Sequence, residues 1–257
     1  MFIDTHAHLY DEQFIEDITA VLLKSQEQGV DKIFMPNCDL TTLQPMLDLA
    51  RAYPNSCFPM LGLHPCYVKD DVQLVLDNMQ SYLTNASLFS AIGEIGLDYY
   101  WDKTFVANQK MAFELQIDWA LQYALPIVVH SRESTQDCID IIAKKQQGNL
   151  TGIFHCFSGT LNEAKQLIDL GFHLGIGGVL TFKNAALKNI IKEIDLKHLV
   201  LETDAPYLAP VPHRGKRNEP AYIPLVATVL AEIKQMSIND IALQTSINAN
   251  QIFKNHN

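Results

Sequence analysis

Six side chains of the kinds that bind divalent metals are spread along the sequence, each near the end of an apolar, strand-like run. They are His6, His8, Glu94, His130, His155 and Asp204. Imidazole nitrogens and carboxylate oxygens are common metal ligands, and a parallel barrel presents its chemistry at the carboxyl ends of its strands. Each signal is weak when taken alone. The shared position in five separate segments predicts one common metal centre.

The spacing of these residues suggests how they meet. His6 and His8 lie two residues apart, so that on a strand both side chains point to the same side. Asp204 ends the eighth strand-like run, which closure of a barrel would return beside the first. Glu94 ends an apolar run, and its two oxygens make it the candidate bridge between two metals. The alternatives are core histidines, a buried Glu94–Arg132 pair and a helix N-cap role for Asp204.

Strand-like and helix-like segments alternate along the whole chain. Eight strands with at least as many helices indicate a parallel sheet, and the number favours an α/β fold of the TIM-like (β/α)8 barrel type. An open doubly wound sheet is the alternative, but Gly175–Gly178 lacks the G-x-G-x-x-G pattern of dinucleotide-binding folds. We expect residues 1–257 to form a single domain with an extra C-terminal helix. The strand-like runs lie near Phe2–Thr5, Lys32–Pro36, Cys57–Leu63, Phe89–Glu94, Ile127–His130, Gly152–His155, Phe172–Gly177 and Leu199–Thr203.

The composition limits the classes of protein to which the chain can belong. Of its 257 residues 48% are hydrophobic, enough to bury a sizeable core. The formal net charge of −10 argues against a nucleic-acid binder that works through a broad basic face. Five cysteines without a C-x-x-C pair indicate reduced thiols. Since there is neither a signal-peptide pattern nor an apolar run of about 20 residues, we expect a cytoplasmic protein without a membrane segment.

A basic cluster follows Asp204 in this acidic protein. Arg214, Lys216 and Arg217 lie within Pro212–Pro220, and Gly215 between them suggests a tight turn. Arg132, two residues after His130, adds a guanidinium group, which suits bidentate contact with a phosphate. Arg132, Arg214 and Arg217 are therefore predicted to bind substrate at the mouth of the barrel. A solvated basic loop is the alternative.

His64 and a run of aromatic residues could also meet the substrate. His64 ends the third strand-like run, where it could be a ligand, a proton carrier or a hydrogen-bond donor, and substrate contact is the favoured interpretation. Tyr99, Tyr100 and Trp101 could offer a stacking surface to a base, although aromatic residues in barrel loops are as often packing residues.

At these positions the sequence resembles the TatD family of metal-dependent deoxyribonucleases, in the amidohydrolase-like barrel group. The blocks that carry the resemblance are Asp4–Leu9, Gly62–Pro65, Gly93–Tyr99, His130–Arg132, His155–Gly159, Glu202–Leu208 and Arg217–Pro220. They run in matching order over nearly the whole chain, and the HCFSG and TDAPYL motifs are far more specific than H-x-H.

The resemblance implies a TIM-like barrel, a divalent metal site and hydrolysis of DNA phosphodiesters. It also implies that the six residues named at the outset are the metal ligands. Where the family pattern often has Asp, this chain has Glu202. Because that position is expected to face away from Asp204, the difference is expected to leave the chemistry unchanged.

The number of ligands, too large for one tetrahedral ion, predicts two-metal phosphodiester hydrolysis. One ion would be held by His6, His8, Glu94 and Asp204, and the other by Glu94, His130 and His155. Water between the ions would be acidified, with Asp204 as general base and Glu94 as the shared catalytic ligand. Mixed nitrogen and oxygen ligands suit Zn²⁺ or Mn²⁺, and Mg²⁺ stays possible.

The expected partner is DNA, engaged as a single strand or at an end by an exonuclease, because the acidic surface disfavours a grip on a duplex. No obligate protein partner is evident. A deaminase or lactonase that acts on a small molecule would use the same metals without the basic residues. A non-catalytic metal-binding or scaffold protein is the third interpretation, and it would bind metal without hydrolysing any substrate.

Overall fold

The computed structural model describes residues 1–183 and 185–253, and within them strands and helices alternate. The described strands are β1 (Phe2–Asp4), β2 (Val30–Met35), β3 (Cys57–Pro59), β4 (Ile92–Asp98), β5 (Ile127–Arg132), β6 (Gly152–Phe154), β7 (Phe172–Ile176) and β8 (Leu199–Leu201). The described α-helices are α1 (Ile18–Glu27), α2 (Leu40–Ala52), α3 (Val72–Ser81), α4 (Val106–Tyr123), α5 (Thr135–Lys145), α6 (Leu161–Asp169), α7 (Leu187–Glu193), α8 (Ile223–Lys234) and α9 (Ile238–Ile252).

The strands form a closed parallel ring. Ladder hydrogen bonds order them as β1-β2-β3 and as β4-β5-β6-β7-β8, with every neighbouring pair parallel. Two parallel bridges join the two groups: Leu61 pairs with Ile92 between β3 and β4, and Ala7 pairs with Ala205 beyond β8 and β1. The predicted TIM-like barrel is confirmed, and the open doubly wound sheet is ruled out by this closure.

Helix α9 closes one end of the barrel. An apolar cluster inside the ring consists of Ile3, Phe34, Phe58, Met60, Ala91, Val128, Ile153, Val200, Ala249, Ile252 and Phe253. The Phe253 ring stacks on Phe34 with centroids 3.8 Å apart. Asn248 Nδ2 donates to Leu199 O at 2.7 Å, at the amino end of β8. The predicted extra C-terminal helix therefore seals the amino-terminal face and leaves the opposite face for chemistry.

The outer layer follows from amphipathic helices with defined starts. Thr160 and Glu163 form a capping box at the start of α6, whose Ala164 and Leu167 are buried. Ser237 caps α9 by accepting from the Asp240 N–H at 3.1 Å. Among the described helices, none is long and apolar enough to cross a membrane.

The strands end earlier than predicted near the candidate ligands. Strand β1 ends at Asp4, β6 at Phe154 and β8 at Leu201, whereas Glu94 and His130 lie within β4 and β5. Residues past a strand end are released from the ladder, so their side chains can turn towards the barrel axis. The short loops that follow the strands therefore carry part of the site.

Candidate metal centre

The structure brings all six predicted ligands together at the carboxyl end of the barrel. A cavity of about 550 Å³ opens there, and its lining includes His8, Glu94, His130, His155 and Asp204. His6 is fully buried beside them.

Glu94 lies at the middle of this cluster, because its two oxygens face different histidines. Oε2 is 3.1 Å from His6 Nε2 and 3.7 Å from His8 Nε2. Oε1 is 3.0 Å from His130 Nδ1 and 3.5 Å from His64 Nε2. One carboxylate thus connects two groups of imidazoles, as a bridging ligand requires.

Tyr10 sets the tautomer of His8. The Tyr10 hydroxyl donates to Pro36 O at 2.6 Å and lies 2.9 Å from His8 Nδ1. Since this hydroxyl has one proton, it must accept from Nδ1–H of His8. A neutral His8 therefore presents a lone pair on Nε2, which is 3.4 Å from Asp204 Oδ1.

His155 lies between the two groups, stacked on His6 and 3.9 Å from Glu94 Oε1, with Glu202 behind it. The rings of His155 and His6 stack with centroids 3.5 Å apart. His155 Nε2 is 3.8 Å from Asp204 Oδ1, and its Nδ1 is 3.0 Å from Glu202 Oε1. The buried Glu202 also accepts from Cys156 N at 2.6 Å. The expectation that Glu in place of Asp leaves the chemistry unchanged stays a prediction, and the structure adds that the Glu202 carboxylate lies against an imidazole of the site.

His130 lies between two carboxylates. Its Nε2 is 2.9 Å from Asp98 Oδ2, on the opposite side of the ring from Glu94. Asp98 Oδ1 accepts the backbone N–H groups of Tyr100 and Trp101, which fixes the carboxylate. Sequence reasoning missed Asp98, although its even spacing from Glu94 on one strand was a usable signal.

His64 is tied differently from the other histidines. Its Nδ1 accepts the Cys66 N–H at 3.1 Å, so that a neutral His64 carries its proton on Nε2, towards Glu94. Burial lowers the pKa of His64 and keeps it neutral, although Glu94 acts in the opposite direction. This geometry favours the predicted hydrogen-bond donor over a metal ligand.

The acids of the centre are ionised despite their burial. Burial disfavours the charged form of Glu94, but His6, His64 and His155 together hold its pKa well below the usual range. Burial also opposes the charge on Asp204, whose pKa is lowered by His155 and His8. Conversely, Glu202, Glu94 and Asp204 overcome burial and raise the pKa of His155 to about 9. The field of the cluster therefore attracts positive charge.

Asp4 links the first and last loops beneath the centre. Its Oδ1 accepts the backbone N–H groups of His6 at 3.2 Å and Thr203 at 3.0 Å. Its Oδ2 accepts from Thr203 Oγ1 at 2.6 Å. Asp4 is fully buried, and it fixes His6 relative to Asp204 without facing the cavity. Sequence reasoning did not assign a role to it.

Two glycines leave room for the buried acids. A Cβ at Gly62 would lie 2.6 Å from the carbonyl carbon of Gly93, next to Glu94. A Cβ at Gly175 would lie 2.2 Å from Glu202 Oε2. The neighbouring strands thus need glycine at these two points for the carboxylates to reach their histidines.

The donor set fits a divalent cation. Groups of ligand atoms within 4.8 Å of one another occur at His6–His8–Asp204, at His6–His155–Glu202 and at His64–Glu94–His130. Ionised carboxylates, several imidazoles and a negative field are what such an ion requires.

Comparison with known proteins agrees with this geometry. The profile of the family described as TatD related DNase matches residues 3–254. The chain belongs to this family. It is 37% identical to the uncharacterized metal-dependent hydrolase YabD of Bacillus subtilis (strain 168) over 99% of both chains. It is 31% identical to the uncharacterized metal-dependent hydrolase YcfH of Escherichia coli (strain K12), covering 98% of this chain and 95% of YcfH.

Solved structures show the same relationship. The TatD homologue YjjV from Escherichia coli K12 superposes with a TM-score of 0.93 at 30% identity, over 98% of each chain. A dihydroorotase from Campylobacter jejuni, at 17% identity, covers 98% of this chain and 82% of its own with a TM-score of 0.60, a likeness of fold alone. This TatD-family protein is therefore a metal-dependent hydrolase that binds divalent metal.

The predicted substrate contacts of this TatD-family chain divide into two sets. His64 and Arg132 line the cavity. Arg217 instead pairs with Asp17 through two contacts of 2.9 and 2.6 Å, and lies 3.2 Å from Glu219.

Arg214 does not line the cavity either. Its guanidinium carbon lies 4.1 Å from the ring centroid of Phe182, and the residue is exposed. Acidic partners hold Arg217 outside the cavity, which its predicted substrate contact did not anticipate. The substrate contact of Arg214 stays a prediction, and Arg132 is the cation beside the ligands.

Proposed function

We propose that this chain hydrolyses phosphodiester bonds of DNA, in a single strand or at an end, with two divalent cations. The observation that carries the proposal is the position of Glu94, whose two oxygens face two separate groups of imidazoles. The family description and the guanidinium of Arg132 at the cavity support a phosphodiester as the substrate.

The proposed cation positions follow from the contacts of Glu94. His6, His8 and Asp204 would hold one cation on the Oε2 side. His130 would hold the other on the Oε1 side, with His155 nearby, since its Nε2 is 3.9 Å from Oε1. The bound cations would polarise a phosphoryl oxygen and lower the pKa of water. Zn²⁺, Mn²⁺ and Mg²⁺ are the candidates.

The side chains supply the remaining chemistry. Asp204 is ionised and lines the cavity, so it can accept the proton of the attacking water as general base. His64 can turn the Nε2–H that faces Glu94 towards a phosphoryl oxygen. Arg132 can neutralise a second oxygen through its fork of N–H donors.

A small-molecule amidohydrolase, such as a deaminase or lactonase, is the second candidate. One observation favours it: Arg214 and Arg217 lie outside the cavity, so among the described residues Arg132 is the one lysine or arginine in the cavity lining that could contact a phosphate. A cavity of about 550 Å³ also has the size of a small-molecule site.

A substrate panel tests the two candidates. Single-stranded DNA labelled at the 5′ or 3′ end, a dihydropyrimidine and a lactone are incubated with enzyme loaded with Zn²⁺, Mn²⁺ or Mg²⁺. We expect cleavage of the DNA that a chelator stops and that His130→Ala slows by about 100-fold or more. Turnover of the dihydropyrimidine or lactone without DNA cleavage would contradict the proposal. Arg217→Gln is the matched control, because that cation lies outside the cavity.

A further inference from the structure

Exposed aromatic side chains border the cavity of the metal centre. Trp101 is 69% exposed, Tyr207 50% and Tyr67 48%, and all three line the cavity. They come from the loops after β4, β8 and β3. Single exposed aromatic residues need no explanation. Three of them around one polar cavity form a surface suited to flat rings.

The three aromatic residues of the loop after β4 have different contacts. Tyr99 donates its hydroxyl to Asp137 at 2.7 Å, which anchors it away from the cavity. Tyr100 has the Arg132 guanidinium 3.6 Å from its ring centroid, so one face is covered. Trp101 meets Tyr100 edge-on, with centroids 5.0 Å apart and planes at 87°. The Arg132 guanidinium carbon also lies 5.3 Å from the Trp101 ring centroid, on one face of the indole. With 69% of the residue exposed, the rest of the indole surface is open to a ligand.

Asp98 ties this aromatic loop to the metal centre. The carboxylate that contacts His130 through Oδ2 also accepts the Tyr100 and Trp101 N–H groups through Oδ1, at 2.9 and 3.1 Å. One side chain thus fixes both an imidazole beside Glu94 and the backbone that carries Trp101. A ring bound on Trp101 would lie at a set position relative to the hydrolysed bond.

We infer that Trp101 is a stacking platform for a nucleobase next to the scissile phosphate of single-stranded DNA. This inference rests on the proposed function and names the group that holds the substrate. A base in a duplex is paired and stacked on its neighbours, whereas an unpaired base has a free face for the indole. The platform thus selects single strands and frayed ends.

The charge of the protein limits what contacts between basic side chains and phosphates can contribute to DNA binding. Among the described residues that line the cavity, Arg132 is the only lysine or arginine, and the whole chain has a net charge of −10. Proteins that hold DNA through many phosphate contacts lose affinity steeply with salt. With about one phosphate neutralised, the logarithm of the affinity should fall with a slope of only about −0.7 against the logarithm of salt concentration. The two proposed cations would hold the scissile phosphate, and stacking would supply binding energy for the nucleoside beside it.

Tryptophan fluorescence reports the stacking directly. The chain has two tryptophans, and Trp119 is 1% exposed, so a ligand at the surface meets Trp101. The metal-loaded protein is titrated with a phosphorothioate oligothymidylate, which resists cleavage. We expect quenching that is lost in Trp101→Phe and that an abasic oligomer of equal length does not produce. Absence of quenching by the oligothymidylate would overturn the inference.

Kinetics then separate stacking from catalysis. Trp101→Ala should lower kcat/KM for oligothymidylate by about 5- to 150-fold and leave kcat/KM for an oligomer with an abasic terminus unchanged. Trp101→Phe should stay within a few-fold of wild type, because a phenyl ring still stacks. Tyr82→Ala, an exposed aromatic residue outside the cavity, is the matched control.

The outcomes distinguish the two proposals. Equal losses on both oligomers, or no loss in Trp101→Ala, would refute the stacking platform while DNA hydrolysis stands. Failure of the wild type to cleave any DNA would refute the proposed function, and the fluorescence titration then decides the stacking separately.

Discussion

At the scale of single residues, three histidines of the centre are contacted by side chains on the far side of their rings from Glu94. Tyr10 contacts Nδ1 of His8, Glu202 lies 3.0 Å from Nδ1 of His155, and Asp98 contacts Nε2 of His130. Such partners fix ring orientation and tautomer, and their loss commonly weakens metal binding. The residues behind the ligands therefore deserve the same tests as the ligands themselves.

Tyr10→Phe removes one hydroxyl and leaves the ring. Without an acceptor for Nδ1–H, His8 can change its tautomer and rotate, so we expect metal affinity to fall by about 10- to 100-fold. Competition with a chelating dye measures this affinity. Tyr53→Phe, which loses a 2.7 Å contact with Thr19 far from the cavity, is the control. Wild-type affinity in Tyr10→Phe would show that the tautomer is set elsewhere.

Glu202→Gln tests the carboxylate behind His155. In metal-free protein, Glu202 is the largest influence that raises the pKa of His155, against burial, to about 9. Replacing the charge with an amide should bring this pKa down by roughly one unit or more, measured by NMR of the imidazole. The remote Glu163→Gln should leave it unchanged. An unaltered His155 titration in Glu202→Gln would contradict the assigned role.

At the scale of elements, the loop after β8 is a structural link. Arg217 binds Asp17, which precedes α1 and lies 200 residues earlier in the sequence. The Arg217 guanidinium carbon also lies 4.6 Å from the Phe14 ring centroid. The Asp17 pair lowers the pKa of that carboxyl, mainly through the Arg217 hydrogen bonds. The loop is thereby fastened to the outer layer.

Arg217→Gln should therefore affect stability, whereas Arg132→Gln should affect substrate binding. The first should lower the free energy of unfolding by about 1 kcal/mol, a modest value because Asp17 is partly exposed, and leave KM for DNA unchanged. The second should raise KM several-fold with little effect on stability. Urea unfolding and steady-state kinetics of both variants provide the comparison. A raised KM in Arg217→Gln would return this arginine to the substrate site.

Strand β7 carries a histidine that links stability to pH. Burial, with a smaller contribution from His198, lowers the pKa of His173 from 6.5 to about 4. Between these two pH values His173 is protonated in the unfolded chain and neutral in the folded chain. The free energy of unfolding therefore falls as the pH drops from 6.5 towards 4.

His173→Gln should remove this part of the acid sensitivity. Between pH 7.5 and 5 we expect the wild type to lose on the order of 1–2 kcal/mol more than the variant. Urea unfolding at both pH values gives the difference. Equal losses in the two proteins would mean that His173 is not a source of the pH dependence.

The sequence predicts the residues whose positions follow from strand order, but not the contacts between side chains that lie far apart in the sequence. The six predicted ligands converge because all strands of a closed parallel barrel end on one face. Arg217 could not be assigned from its basic neighbours, because its partner Asp17 is 200 residues away. The contact of Glu202 with His155 could not be predicted for the same reason, because it depends on the space left by Gly175 in a neighbouring strand.

At the scale of the whole molecule, one face of the closed barrel is sealed by a helix and the other carries the candidate metal centre. Helix α9 seals the amino-terminal face with Phe253 against Phe34. On the other face the Ala7–Ala205 bridge brings the first and last loops together, with Asp4 holding both. The ionised Glu94 and Asp204 thereby concentrate a negative field on the face where a divalent cation binds.

The proposed role of Glu94 as a bridging ligand between two divalent cations is tested most directly by the number of ions bound per chain. Metal analysis after equilibrium dialysis should give two ions in the wild type, one in His130→Ala and one in His8→Ala, each with a folded barrel by circular dichroism. One ion in the wild type that His130→Ala retains would contradict the claim.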